Sequence, residues 1–287
     1  MNLFRSDLES KLSKRKEKKQ GEMVWKLVFQ LMLMMLMFQV AAAAAPIARS
    51  GCPDRCGDIS IPYPFGIRKD CYMNEWFAIE CKASVNPARA FISRINMEVL
   101  NISADRATAT VKSPIISSNC TGREDGVPLN LTGTPFVFSS HDNVFIAVGC
   151  NTQALMTGIT PNLIGCVSTC SDVKSKNFCE ALPPSSLQVF NPRIEATDDN
   201  QDREGCKLAF LVNHTWFESN VSDPFSLQYR DYVPAELGWT MNVNTDDPVR
   251  CRGYYNESFG SECVCGGGYE GIPYLGCIGK YFFPPKI

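Results

Sequence analysis

Histidine is almost missing from this chain: His141 and His214 are the only two among 287 residues, and His214 lies inside an Asn-x-Ser/Thr sequon. There is no Gly-x-Ser-x-Gly elbow and no His-Glu-x-x-His pair, so the roles of nucleophile, base and orienting group stay unfilled. The adjacent carboxylates Asp198 and Asp199 fall in a polar stretch that gives no control over the spacing glycoside hydrolysis requires. A basic stripe is also lacking, and the formal net charge is −2, which excludes nucleic acid as a partner. Apolar periodicity of 3.6 residues is absent beyond the leader, so a helix-based domain is excluded too. What remains is a binding or structural protein with no cofactor and no metal to hold.

The first 48 residues form a leader. Residues 1 to 22 are polar, with Lys11, Lys14, Arg15, Lys16, Lys18 and Lys19 crowded together, and an apolar run from Val24 to Ala45 follows. The run is long enough for a bilayer, which needs about 20 apolar residues, so a signal-anchor competes with a cleaved signal peptide. Small residues at Ala41 to Ala45 and Ala48 favour cleavage before Arg49. A start at Met23 gives a conventional signal peptide with Lys26 as its charge. If uncleaved, residues 24–45 attach the chain to a membrane. Either way the basic flank stays cytoplasmic and the rest is delivered outside.

That address agrees with the cysteines. All fourteen lie beyond the leader: Cys52, Cys56, Cys71, Cys81, Cys120, Cys150, Cys166, Cys170, Cys179, Cys206, Cys251, Cys263, Cys265 and Cys277. Six sequons share the region, at Asn101, Asn119, Asn130, Asn213, Asn220 and Asn256. Exported, cysteine-rich and sequon-rich sequence reads as a disulfide-bonded glycoprotein with those asparagines exposed. Charge is uneven along it: residues 49–112 hold nine basic and seven acidic side chains, residues 113–287 eleven and nineteen. A polyanion should choose the first block. The acidic run at 195–204, EATDDNQDRE, fits no EF-hand spacing and reads as a solvated loop.

The stretch from Cys52 to Cys81 has cysteines separated by three, fourteen and nine residues, with no CxxC pair and no histidine. This favours a disulfide knot over a zinc site and leaves the pairing open. Inside it, Ile61-Pro62-Tyr63-Pro64-Phe65-Gly66-Ile67 predicts a stiff, extended aromatic loop offered to the surface, with Gly66 permitting a turn. The pattern CPxxCG, IPYPFGI, then Phe77-Ala78-Ile79-Glu80-Cys81 resembles the galacturonan-binding domain of plant wall-associated receptor kinases. The resemblance implies an extracellular module that meets pectin in the cell wall.

Further along, Phe91–Val99 and Ala107–Val111 read as strands by alternation and β-branched content. Gly133–Phe138 and Asn143–Cys150 bracket Ser-Ser-His-Asp and read as a hairpin. With Gly165-Cys166 and Cys170 they resemble the same family, although its adjacent cysteines are replaced here by the single Cys179. Gly205-Cys206-Lys207-Leu208-Ala209-Phe210-Leu211-Val212 and Pro234-Ala235-Glu236-Leu237-Gly238-Trp239 resemble the C-terminal ectodomain segment of these kinases. Phe210, Trp216, Phe217 and Trp239 are expected in a β-sheet core rather than as a sugar platform. Cys263-Val264-Cys265 through Cys277 resembles the second half of an epidermal-growth-factor-like module. No kinase motif and no second apolar span follow in the sequence, which reads as a receptor-kinase ectodomain cut short or a free secreted relative.

The expected class is mainly β and disulfide-rich: a multi-unit extracellular ectodomain ending in a partial epidermal-growth-factor-like module. Its divisions are the leader (1–48), a galacturonan-binding cysteine-rich domain (49–112), a wall-associated-kinase C-terminal-type β region (113–245) and the partial module with its tail (246–287). A non-catalytic pectin-binding role would fall to Arg55, Arg68, Lys69, Lys82, Arg89 and Arg94, because guanidinium forks and ammonium groups recognise uronate carboxylates. Tyr63, Phe65 and Tyr72 are the candidate ring-stacking faces. The competing reading is a secreted cysteine-rich protein-interaction module without pectin binding.

Overall fold

The computed structural model describes residues 20–35, 46–157, 164–169, 177–197, 205–239, 249–253 and 261–279. The chain divides into two compact units, residues 1–45 and 46–287. In the first, residues 20–35 form helix α1, whose Trp25 and Phe29 are exposed. Among the described residues no helix is long and apolar enough to cross a membrane.

The second unit is built from antiparallel strands, as its alternating apolar pattern requires. β1 (Arg55–Cys56) and β2 (Ile59–Ser60) make a short hairpin inside the cysteine knot. β3 (Ile79–Lys82), β4 (Arg89–Ile92), β5 (Met97–Ser103) and β6 (Thr108–Ser118) then form a meander. The expected strand Phe91–Val99 is therefore two strands. It breaks at a turn where Asn96 has φ 49°, a left-handed conformation that asparagine tolerates better than most residues.

β7 (Leu129–Asn130) pairs with β13 (Val189–Phe190). β8 (Phe136–Phe138) and β9 (Asn143–Val148) do not pair with each other, which corrects the expected hairpin. β9 lies between β12 (Phe178–Ala181) and β15 (Lys207–Asn213), whereas β8 pairs with β16 (Tyr232–Trp239). The physical reason lies in the turn. The Asn143 side chain donates to Ser139 O and Glu236 O and accepts from Glu236 N, all at 2.8 Å. Those bonds direct β9 away from β8. β10 (Thr152–Met156) is flanked by β11 (Ile164–Ser168) and β14 (Pro192–Ala196) in a separate three-stranded sheet.

Among the described residues the main sheet has nine strands, in the order β12-β9-β15-β6-β5-β4-β3, with β16 on β6 and β8 on β16. β6 is the eleven-residue member that joins its parts. Its first half pairs with β5 and β16, and its last four residues pair with β15. The sequence segments 49–112 and 113–245 thus meet in the middle of one continuous strand.

Two buried clusters cover this sheet. Every residue of β9 is buried, and β15 is buried except at its last residue, Asn213. One set of their side chains packs with Phe65, Phe77, Phe136 and Trp239. The other set, including Ile146 and Phe210, packs with Phe217 and Leu227. Phe210 and Trp239 are sheet-core residues as expected, and Phe217 is core too, but Trp216 and Phe217 sit on a helix, α2 (His214–Asn220). Asn213 starts that helix by accepting from Trp216 N at 2.8 Å. Trp216 is half-buried beneath the Arg230 guanidinium, 5.5 Å from the ring centre.

Disulfides join Cys52–Cys71, Cys56–Cys81, Cys120–Cys206, Cys166–Cys179 and Cys265–Cys277, and Cys150 is disulfide-bonded as well. Toward the C-terminus β17 (Val249–Gly253) pairs with β18 (Ser261–Cys265), and β19 (Tyr269–Glu270) with β20 (Ile278–Gly279). Residues 198–204 of the acidic run, Cys170 and Asn256 lie outside the described residues.

The proline-aromatic stretch is not offered to solvent, contrary to expectation: every residue from Ile61 to Gly66 is buried. Gly66 N donates to Phe77 O at 3.2 Å and Ile79 N donates to Gly66 O at 2.8 Å. A Cβ at Gly66 would overlap the backbone of Cys71 and Tyr72, so this glycine answers to close approach rather than to a turn. Gly66→Ala should lower the unfolding free energy by about 1–3 kcal/mol or more through overpacking. Urea unfolding checks this, and an unchanged midpoint would contradict the packing described.

Candidate functional site

The predicted contact residues separate into three groups. In the knot, Arg55 donates to Asp58 O (2.9 Å) and Ser60 Oγ (3.3 Å), and Arg68 donates to Gly51 O (2.8 Å). Both are exposed, as is Lys69. Tyr63 is 3% exposed and Phe65 1%. Arg49, which the sequence reading passed over, lies 4.5 Å from the Tyr63 ring centre and donates to Tyr63 Oη at 2.7 Å. Tyr63 and Phe65 are therefore corrected from stacking faces to core residues, because neither ring has a face open to a ligand.

At the corner next to the knot, Arg94 lies over Trp76, 4.7 Å from the ring centre. Trp76 belongs to a short 3-10 helix, Glu75–Phe77, started by Asn74, whose side chain accepts from Trp76 N at 3.0 Å. Tyr72 is half-buried and donates to Glu75 Oε1 at 2.9 Å. That hydrogen bond is the main cause raising the Tyr72 pKa above the ordinary phenol value.

The third group lies on the sheet. In β3 to β6 the inward positions Ile79, Ala90, Ile92, Met97, Val99 and Val111 are buried, so strand alternation turns their neighbours to the opposite face. Lys82 stands 4.1 Å from the Phe91 ring centre and 3.7 Å from Glu80. Arg89 reaches Glu98 at 3.8 Å, and Lys112 reaches the same carboxylate at 2.8 Å. Lys112 also stands 4.2 Å from the centre of the Tyr232 ring. Each residue in this series is on the next strand or the same one, from β3 through β4, β5 and β6 to β16. The result is a continuous band, with a cation beside a ring at each end and Glu98 between Arg89 and Lys112, about 19 Å across at the usual strand spacing of ~4.8 Å.

Lys82 and Arg89 were candidates from sequence; Phe91, Lys112 and Tyr232 were not. The signal for Lys112 was its outward place between buried Val111 and Ser113. Tyr232 had no local signal, because Tyr232 reaches the band only through the pairing of β16 with β6.

Beside the band, Glu236 is 6% exposed. Its carboxylate accepts from Thr110 Oγ1 at 2.8 Å and from Asn213 Nδ2 at 3.2 Å. Burial is the leading influence and raises its pKa, the Asp142 charge adds to the rise, and Thr110, Arg106 and Asn213 oppose it. Four other sequon asparagines, Asn101, Asn119, Asn130 and Asn220, are exposed; Asn213 is half-buried. Both histidines line a groove with Glu180 and Leu182, and His214 Nε2 lies 3.5 Å from Glu218.

The molecule is thus a disulfide-stapled β ectodomain whose charged and aromatic side chains line one sheet face. Comparison with known sequences gives the family. The wall-associated receptor kinase galacturonan-binding model matches residues 52–113, and the wall-associated kinase model matches residues 169–247. Wall-associated receptor kinase-like 3 of Arabidopsis thaliana is 34% identical, over 86% of this chain and 41% of that protein. Wall-associated receptor kinase-like 6 of the same plant is 33% identical over 80% of the chain and 44% of the protein. Wall-associated receptor kinase-like 5, also from this plant, is 34% identical over 80% and 38%. No solved structure matches. The chain carries the two ectodomain segments of the wall-associated receptor kinases and is an extracellular ectodomain of that type, spanning about two fifths of the length of these relatives. Neither matched segment is a kinase domain.

Because the Glu236 pKa is raised, the folded state holds this proton more tightly than the unfolded chain does. Its stabilising contribution is complete below the unfolded value of about 4.3 and is lost as pH rises through the folded value. Glu236→Gln keeps the bonds from Thr110 and Asn213 and should flatten that decline. Thermal unfolding from about pH 4 to about pH 8 compares the two proteins; parallel curves would contradict the assignment.

Proposed function

We propose that this ectodomain binds de-esterified galacturonan, the charged form of pectin, without catalysing any reaction on it. The observation that carries the proposal is the band from Lys82 to Tyr232, in which Lys82, Arg89 and Lys112 stand on β3, β4 and β6, with Phe91 beside Lys82 and Tyr232 beyond Lys112. A polymer with regularly placed carboxylates meets such a band at several points, and the sugar rings meet the aromatic faces. Each cation is partly exposed, so a single contact contributes about 0–1 kcal/mol. Affinity therefore comes from many contacts along one chain and declines with ionic strength. The galacturonan-binding segment at residues 52–113 supplies β3, β4, β5 and the first part of β6, which supports the same reading. The knot cations Arg55 and Arg68, tied to their own backbone, and the nearby Lys69 are secondary contacts on this account.

The test is binding of secreted residues 49–287 to de-esterified and to fully methyl-esterified galacturonan across a salt series. The charged polymer should bind better and weaken with salt. Reversing Lys82, Arg89 and Lys112 to glutamate should weaken it about ten-fold or more, while reversing Arg55, Arg68 and Lys69 has the smaller effect. Equal or absent binding to the two polymers would reject the mechanism and favour the protein-interaction module.

A further inference from the structure

The band carries its own anion. Glu98 stands at its centre, on β5, with Phe91 of β4 directly opposite on one side. On the other side Val99 pairs with Val111, which brings Lys112 alongside Glu98. One Glu98 oxygen, Oε2, serves both Lys112 at 2.8 Å and Arg89 at 3.8 Å. The side chains of Glu98 and Lys112 are 16% and 21% exposed, against 54% and 38% for Glu80 and Lys82 at the edge. Two cations converging on one half-buried carboxylate are already arranged to hold a carboxylate group. Glu98 is paired with Phe91 on one side and its neighbour Val99 with Val111 on the other, so this anion stays beside the two cations and can withdraw only by changing rotamer.

We propose that Glu98 is a built-in counter-ion occupying the place of a uronate carboxylate, and that galacturonan binds by exchanging its own carboxylate for Glu98 on the Arg89–Lys112 pair. This rests on the reading of the band as the polymer-binding surface. The exchange explains how a cation line can reject small anions. An isolated carboxylate gains two ion pairs and breaks two equivalent ones, so nothing favours the replacement. A polymer makes the same exchange while adding contacts at Lys82, Phe91 and Tyr232, and only then is the balance favourable. Glu98 thereby acts as a specificity-determining residue, setting a threshold on ligand length and charge density.

The experiment compares the wild-type ectodomain with Glu98→Gln, Glu98→Thr and an off-band control, Glu195→Gln, whose carboxylate pairs with Arg193 on β14. Threonine suits a half-buried strand position and provides a second variant should glutamine perturb folding. De-esterified galacturonan and monomeric galacturonate are the probes, each across a salt series. Both Glu98 variants should bind the polymer about two- to five-fold more tightly at low salt. They should also show a steeper fall with salt and measurable binding of the monomer, while the control matches the wild type. Wild-type binding with no gain in either Glu98 variant would overturn the counter-ion role alone. Failure of every protein to bind the polymer would overturn the galacturonan reading and this inference with it.

Discussion

Four aromatic rings from distant parts of the chain meet at one point, and the architecture depends on their contact. Phe65 of the proline-aromatic stretch packs edge-on against Phe77 and Trp239, with centroids 5.1 Å apart in both pairs, and stacks on Phe136 at 6.3 Å. Phe77 closes the cluster against Phe136 at 5.6 Å and Trp239 at 6.3 Å. The exposures are 3% for Trp239, 1% for Phe65 and 0% for the other two. Full burial of one such ring is worth about 1.5–3 kcal/mol, with about 0.5–1.5 kcal/mol more from edge-to-face geometry. Phe65 and Phe77 belong to the cysteine knot, Phe136 to β8 and Trp239 to β16. The cluster therefore fastens the N-terminal segment to β8 and β16.

The binding surface depends on that fastening. Lys82, Arg89, Phe91 and Glu98 stand on strands of the N-terminal segment, whereas Tyr232 arrives on β16, whose inward Trp239 is part of the cluster. Alternation links the two faces: packing Leu237 and Trp239 inward determines which β16 residues turn outward, Tyr232 among them. A one-residue slip of β16 on β6 would remove the ring from Lys112. The core thus positions the band through strand register. The polar bonds of Asn143 to the Glu236 backbone reinforce this by holding β9 and β16 at a fixed separation.

Much of this was legible in the sequence, for local reasons. Exported cysteines implied disulfides, and alternation and apolar runs implied strands with Phe210 and Trp239 in a sheet core. The misreadings arose where distant contacts decide. Two prolines made residues 61–66 look like a rigid exposed loop. Yet Ile61 and Phe65 join the main core, where Phe65 is met by Phe136 and Trp239 from far along the chain, and Tyr63 is covered by Arg49. The Phe91–Val99 run concealed a hairpin because Asn96 and its neighbours lack the glycine that usually marks a turn. The β8–β9 turn looked like a hairpin because the bonds that separate the strands come from Glu236, 93 residues after Asn143. Cysteine pairing is set by the fold, so spacing alone left it open. At the site, Lys82 and Arg89 were visible as members of a basic block, while their convergence with Lys112 and Tyr232 required sheet order.

Joined through β6 and the aromatic cluster, the cysteine-rich segment and the later strands should unfold as one cooperative body. Unfolding of residues 46–118 expressed alone, with Cys52, Cys56, Cys71 and Cys81 oxidised, tests it most directly. This piece keeps β1 to β6 and loses Phe136 and Trp239. No cooperative urea transition is expected for the fragment, against a sigmoidal one for the whole ectodomain. A fragment that unfolds cooperatively with the stability of the whole would contradict it.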